Sequence, residues 1–182
     1  MQLKKDKSFL QDFTKASECE YLETNGLGGW SGSSIVGAHT RRYHGLFVAA
    51  INPPTDRMVM LSKLDETIVV GEKRSELSCN VFDGDTIHPN GNQYLESFSR
   101  DFFPQWIYNI DGILLKKTIC MINGENTLVI SYEVDKADAP FTLELLPLMA
   151  ARGYHELGHA SPRMYWDADF RYSVENLKVF LF

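Results

Sequence analysis

The chain has 182 residues, of which 44% are hydrophobic and 23% charged. These are the proportions of an ordinary globular domain, and they exclude a disordered tail, a collagen or a coiled coil. Lys and Arg number 18 against 24 Asp and Glu, a net charge of −6, so nucleic acid and anionic membranes are not expected partners. The longest uncharged apolar run, Gly45–Ile51, is too short to cross a bilayer. The opening stretch MQLKKDKSFL carries lysines with no apolar segment after them. It does not read as a secretory signal, and the cytoplasm is the expected location. Cys19, Cys79 and Cys120 are odd in number and far apart, which fits reduced thiols rather than a disulfide framework or a metal knuckle.

From about residue 40 the chain reads as strands. Arg41–Ile51 runs from polar to continuously apolar, as a strand buried on both faces would, and Asn52-Pro53-Pro54 stops it. Arg57–Ser62 and Glu66–Val70 are short candidates on either side of a charged kink, Lys63-Leu64-Asp65. Weaker candidates follow at Leu77–Phe82 and Tyr94–Arg100. Trp106–Ile110, Ile113–Met121 and Thr127–Val134 are rich in β-branched and aromatic residues, with Asp111-Gly112 and Asn123-Gly124 in the connections. They predict a three-strand antiparallel meander. Asp138-Ala139-Pro140 turns the chain into Phe141–Leu148. No long window before residue 145 keeps a helical period, so the reading is an all-β antiparallel sandwich. There is no internal repeat and no linker. The final run Asn176–Phe182 is apolar and strand-like, and the expectation is a fragment of something longer.

Thr24-Asn25-Gly26-Leu27-Gly28-Gly29-Trp30 is followed by Ser31-Gly32-Ser33-Ser34 and then by Thr40-Arg41-Arg42-Tyr43-His44-Gly45-Leu46. Three glycines in four positions describe backbone that takes positive φ or approaches a neighbour closely. The pattern is not GxGxxG, and no strand–helix context follows, so a dinucleotide site is not indicated. A Gly/Ser loop beside Arg-Arg-Tyr-His could bind a hydroxyl-rich ligand, with Trp30 as an apolar platform and the arginines as fixed donors. The alternative is a tight loop that satisfies its own turns and a neighbouring domain.

The segments TNGLGGW, TRRYHGLFVAA and NPPTDRMVMLSKLDETIVV, in this order, resemble the N-terminal domain of bacterial and archaeal glycogen debranching enzymes. The resemblance continues at Phe141–Pro147 and at Arg152, His155 and His159, and covers nearly the whole chain. His39 stands where Asn is common, and Trp30 where Tyr or Phe is common. The resemblance implies one domain over 1–182, a large antiparallel β-sandwich of the super-sandwich type, preceding an (α/α)6 barrel that this chain lacks. In that family the barrel holds the carboxylate pair of an amylo-α-1,6-glucosidase, which protonates the leaving oxygen and activates water. The expected role is therefore a non-catalytic domain supporting hydrolysis of α-1,6 branches in glycogen, with no cofactor and no metal. Activity of the domain itself as a 4-α-glucanotransferase, or α-glucan binding on its own, is the alternative. Trp30, Arg41, Arg42, Tyr43 and His44 are expected near the glucan-facing surface, and Arg152, His155 and His159 against the enzyme's own catalytic domain.

Three further features carry bland readings. Asp65, Glu66, Asp83, Asp85, Glu96 and Asp101 show no spacing that singles out a catalytic pair and are expected to be solvated or to cap turns. His155-Glu156-Leu157-Gly158-His159 satisfies HExxH, the helical motif of zinc hydrolases. No later histidine follows, Pro162 would end such a helix, and a third ligand would have to be Asp167, Asp169 or Glu175. Trp106 and Tyr108 are expected in the core, although they and Phe102 and Phe103 could stack on sugar rings.

Overall fold

The computed structural model describes residues 3–157, 172–175 and 178–181. In chain order the elements are β1 (Leu3–Asp6), α1 (Lys7–Gln11), α2 (Phe13–Ser17), β2 (Glu20–Thr24), β3 (Trp30–Ser34), β4 (Gly45–Asn52) and β5 (Asp56–Val70). Then come β6 (Lys73–Glu76), β7 (Cys79–Phe82), β8 (Thr86–Asn90), β9 (Leu95–Arg100), β10 (Pro104–Ile110) and β11 (Ile113–Met121). The last are β12 (Leu128–Lys136), β13 (Thr142–Gly153), β14 (Tyr172–Glu175) and β15 (Lys178–Leu181). Among these residues no helix is long and apolar enough to cross a membrane.

Two antiparallel sheets face each other, giving the all-β sandwich that the strand pattern predicts. One has the order β1-β9-β10-β11-β12, and the other β13-β5-β4-β3-β2 with β6 also on β5. The core lies between them. Tyr21 of β2 meets Trp106 of β10 edge to face at 5.0 Å, and Phe98 of β9 packs on the same indole. The Trp106 Nε1–H donates to Ile35 O across the sheets at 2.7 Å, so the buried indole keeps a polar partner. Phe102, by contrast, is 83% exposed and Phe103 is half-exposed.

The meander forms as its sequence predicts. Along β11, Ile113, Leu115, Lys117, Ile119 and Met121 point inward in strict alternation. Asp111 and Gly112 both take positive φ, 49° and 86°, the turn that matches the twist of a two-residue hairpin.

Four expectations are corrected. Lys63-Leu64-Asp65 is no kink, because β5 runs unbroken for 15 residues. Leu64, Glu66 and Ile68 are buried in alternation, and the charges between them are neutralised in place. Lys63 Nζ reaches Asp65 Oδ1 at 3.3 Å and donates to Cys79 O and Asn80 Oδ1. Glu66 is likewise not solvated, being 4% exposed and bonded to Lys117 and Tyr132. Trp30–Ser34 is strand β3 rather than loop. Its serines are buried, and those at 33 and 34 donate to Ala38 O, which removes the cost of placing hydroxyls inside a sheet. Strand β4 starts only at Gly45, because residues 41–44 form a turn closed by His44 N–H on Arg41 O.

The first 18 residues, for which the sequence pattern gives no element, add β1 to the edge of one sheet and two five-residue helices. Asp6 and Asp12 cap them by accepting from Phe9 N and Lys15 N. Between Met149 and Arg152, β13 carries one residue more than the Leu61–Val59 stretch it pairs with. Ala151 takes a φ of 41° there, as the extra residue of a bulge does.

Candidate functional site: an aromatic and arginine surface

The loop Asn25–Gly29 joins β2 to β3, and a single buried side chain organises it. Asn25 is fully buried, and its Oδ1 accepts from Leu27 N and Gly29 N at 3.0 Å each. Its Nδ2 donates to Glu125 O and Asn126 Oδ1, and its carbonyl accepts from Gly124 N at 2.7 Å. Asn126 in turn brackets Ala50, accepting from its N–H at 2.9 Å and donating to its carbonyl at 2.7 Å. The loop is thus tied to the connection between β11 and β12. A Cβ at Gly29 would lie 2.8 Å from Val48 O and from Asn25 Nδ2. At Gly28, where φ is +97°, it would lie 3.0 Å from Arg57 Nη2. The second glycine lets Arg57 close down, and its Nε–H donates to Gly28 O at 2.6 Å.

Around this loop three segments meet. Trp30 donates from Nε1 to Tyr43 O at 3.2 Å and packs edge to face on Tyr154 at 5.6 Å. The Tyr43 and Tyr154 rings lie 5.9 Å apart, and His155 lies 3.8 Å from Tyr154. Tyr43 OH and His155 Nδ1 are hydrogen-bonded at 3.3 Å. The Arg57 guanidinium sits 5.5 Å from the Tyr154 ring and 5.9 Å from Trp30, within cation–π range. Arg42 Nη1 donates to His155 O at 3.1 Å, and Arg152 Nη2 donates to Arg42 O at 3.0 Å. Tyr43 is 46% exposed, and Arg42 and His155 are exposed as well. Burial, and then the neighbouring Arg42 charge, hold Arg152 below the usual guanidinium range.

The structure therefore joins two groups that the sequence reading keeps apart. Trp30, Arg42 and Tyr43 share one surface with Arg152 and His155. Arg41 and His44 do not belong to it, because both turn to Glu20. His44 is 5% exposed, with Nε2 at 3.1 Å from Glu20 Oε1 and Nδ1 accepting from Thr40 N. Arg41, itself exposed, pairs with the other Glu20 oxygen. Their work is to shape the turn that presents Arg42 and Tyr43. Arg57 and Tyr154 were missed, since no local pattern marks residues that meet only through the pairing of β5 with β13.

His159, Asp167 and Asp169 lie outside the described residues, as does the Glu175 side chain. Residues 154–157 form a turn and not a helix, so His155 and Glu156 are not set on the helical face that the zinc motif requires. No group of three His, Cys, Asp or Glu among the described residues could hold a metal ion. Between the sheets is a cavity of about 40 Å³ bounded by Tyr21, His39, Glu66, Trp106 and Lys117. That is room on the scale of a few waters and too little for a glucose unit.

His39 beside it is pushed down to about 3, first by burial and then by the Lys63, His44 and Arg152 charges. The fold thus holds a neutral imidazole, while the unfolded chain takes up a proton near the ordinary imidazole value of 6.5. Stability is lost as pH falls from about 6.5 towards about 3, with a slope of at most about 1.4 kcal/mol per pH unit for one proton. In denaturant titrations His39→Asn and the wild type should differ by a constant amount above about pH 7, and the variant should gain steadily between about pH 6 and 4. Parallel curves through that window would show that His39 protonates without resistance from the fold.

A family model described as glycogen debranching enzyme N terminal matches residues 19–179. Comparison with curated proteins returned no match, and neither did comparison with solved structures. The match takes in the Asn25 loop, the turn before β4 and both strands that position Arg57 and Arg152, which is every element of the surface. The chain belongs to the family of glycogen debranching enzyme N-terminal domains.

Proposed function

We propose that this chain is the non-catalytic β-sandwich domain of a cytoplasmic glycogen debranching enzyme, and that its Trp30–Tyr43–Tyr154–His155 surface holds α-glucan for a downstream (α/α)6 catalytic domain. The observation that carries the reading is the convergence of four rings and Arg42 from three separate segments on an exposed face. Sugar faces present C–H groups that stack on such rings, and guanidinium forks bond pairs of hydroxyls. Glycosidic cleavage and glucanotransfer both use a pair of carboxylates. Among the described residues the surface has one close by, the exposed Glu156, which favours holding over chemistry. Arg152 and His155 would then stand where the catalytic domain approaches.

Calorimetric titration of the chain with maltoheptaose tests this reading. Binding is expected, and Trp30→Ala should weaken it about tenfold, equivalent to about 1.4 kcal/mol. A wild-type chain that is folded and takes up no maltoheptaose would overturn the glucan contact.

A further inference from the structure

Six arginines fall among the described residues, and they divide sharply. Arg41, Arg74 and Arg100 each pair with a carboxylate, those of Glu20, Glu144 and Glu23. Arg42, Arg57 and Arg152 pair with none among the described residues. Their hydrogen bonds end on carbonyl oxygens: Arg42 on His155 O, Arg57 on Gly28 O, and Arg152 on Arg42 O, Gly153 O and Glu156 O. These three are the arginines that surround Tyr154 and His155. In a chain with six more acids than bases, three neighbouring cations with no ion pair among the described residues are not an effect of composition.

Neutral glucan does not account for them. Mutual repulsion makes the cluster unfavourable until an anion arrives, and hydroxyls bring no negative charge. A guanidinium carries five N–H donors, and Arg42 and Arg57 each spend one on a carbonyl. The forks that remain match the oxygens of a phosphate. The rings beside them match a sugar face. Resting on the reading of this surface as a glucan contact, we infer that its ligand is a glucose unit carrying a phosphate monoester, either on an α-glucan chain or as a free sugar phosphate.

The experiment compares amylopectin fragments that carry phosphate with the same fragments after phosphatase treatment, alongside maltoheptaose, glucose, glucose 6-phosphate and inorganic phosphate. The phosphorylated fragments should bind at least tenfold more tightly than the treated ones. Arg42→Gln, and separately Arg57→Lys, should reduce that ratio to about twofold or less. Arg57→Lys keeps the charge and removes the fork, so it separates recognition from net charge. Glucose 6-phosphate binding as tightly as the phosphorylated chain would point to the free sugar phosphate as the source, and much weaker binding to the chain. Equal affinity for treated and untreated fragments overturns the inference while leaving maltoheptaose binding intact, and would assign the arginines to carboxylates of the catalytic domain. Inorganic phosphate binding as well as glucose 6-phosphate, with no uptake of maltoheptaose, overturns both readings.

Discussion

Lys117→Met should cost about 3–5 kcal/mol of stability in denaturant unfolding, the scale on which breaking a buried ion pair acts. Lys117 of β11 and Glu66 of β5 bond across the two sheets while 8% and 4% exposed. Tyr132 of β12 donates its hydroxyl to the same carboxylate oxygen at 2.5 Å. The Lys117 ammonium also lies 5.7 Å from the Trp106 ring and 6.0 Å from Tyr132. Remove the lysine and a carboxylate stays in the core with one phenol for company. That phenol stays protonated, since burial and the Glu66 charge push its ionisation well above the usual range, so it supplies a hydrogen bond but no counter-charge. Replacing all three groups with apolar ones of similar volume, Lys117→Met with Glu66→Leu and Tyr132→Phe, leaves nothing orphaned and should return to within about 2 kcal/mol of the wild type. If the single variant unfolds at the wild-type midpoint, or the triple is as weak as the single, the group is not the cross-sheet tie its geometry describes.

Asn25→Ala should be nearly as damaging to stability and worse for the surface. The substitution strips partners from Leu27 N, Gly29 N and Glu125 O together. The bond to Gly29 N is buried, while those to Leu27 N and Glu125 O are half-buried. A buried group left unsatisfied costs about 1–3 kcal/mol, so a loss of about 2–3 kcal/mol is expected. Asn25→Asp is no rescue. It keeps the two acceptor bonds and turns an oxygen toward Glu125 O and Asn126 Oδ1. Since the loop holds Gly28 O under Arg57, maltoheptaose binding should vanish in both variants, and amide exchange at Gly29 and Gly124 should accelerate together. Acceleration at only one of them would show that the two connections are not coupled.

The sandwich was legible where chemistry is local. Trp106–Val134 announces its strands through β-branched and aromatic residues and its first turn through Asp111-Gly112, and β10, β11 and β12 lie side by side in one sheet as that signal predicts. Legibility failed where a charge or hydroxyl is satisfied by a residue far away in sequence. Lys63 reads as a break only because Cys79 and Asn80 cannot be seen above it, and Glu66 reads as solvated because Lys117 is 51 residues away. Ser31–Ser34 looked like a loop for the same reason. At the surface, motif spacing singles out Trp30, Arg42 and Tyr43, and the fold sets them side by side. Arg57 and Tyr154 have no such mark, and an imidazole beside two arginines gives no hint that Glu20 draws His44 inward.

The bulge in β13 makes the surface a question of parity. Side chains along a strand alternate between faces, so one extra residue between Met149 and Arg152 decides which face everything after it takes. The extra residue offsets one that β5 carries between Lys63 and Leu61, so Arg152 meets Val59 in the same register in which Thr142 meets Val69. Deleting Ala151 would leave the β5 residue uncompensated and slip Arg152 and Tyr154 by one place to the opposite side, while the earlier pairing of Val69 through Lys63 kept its register. The core would not register the loss. In any related chain, counting residues between the Pro147 position and the Arg152 position would therefore say more about whether this surface exists than asking whether an arginine is present.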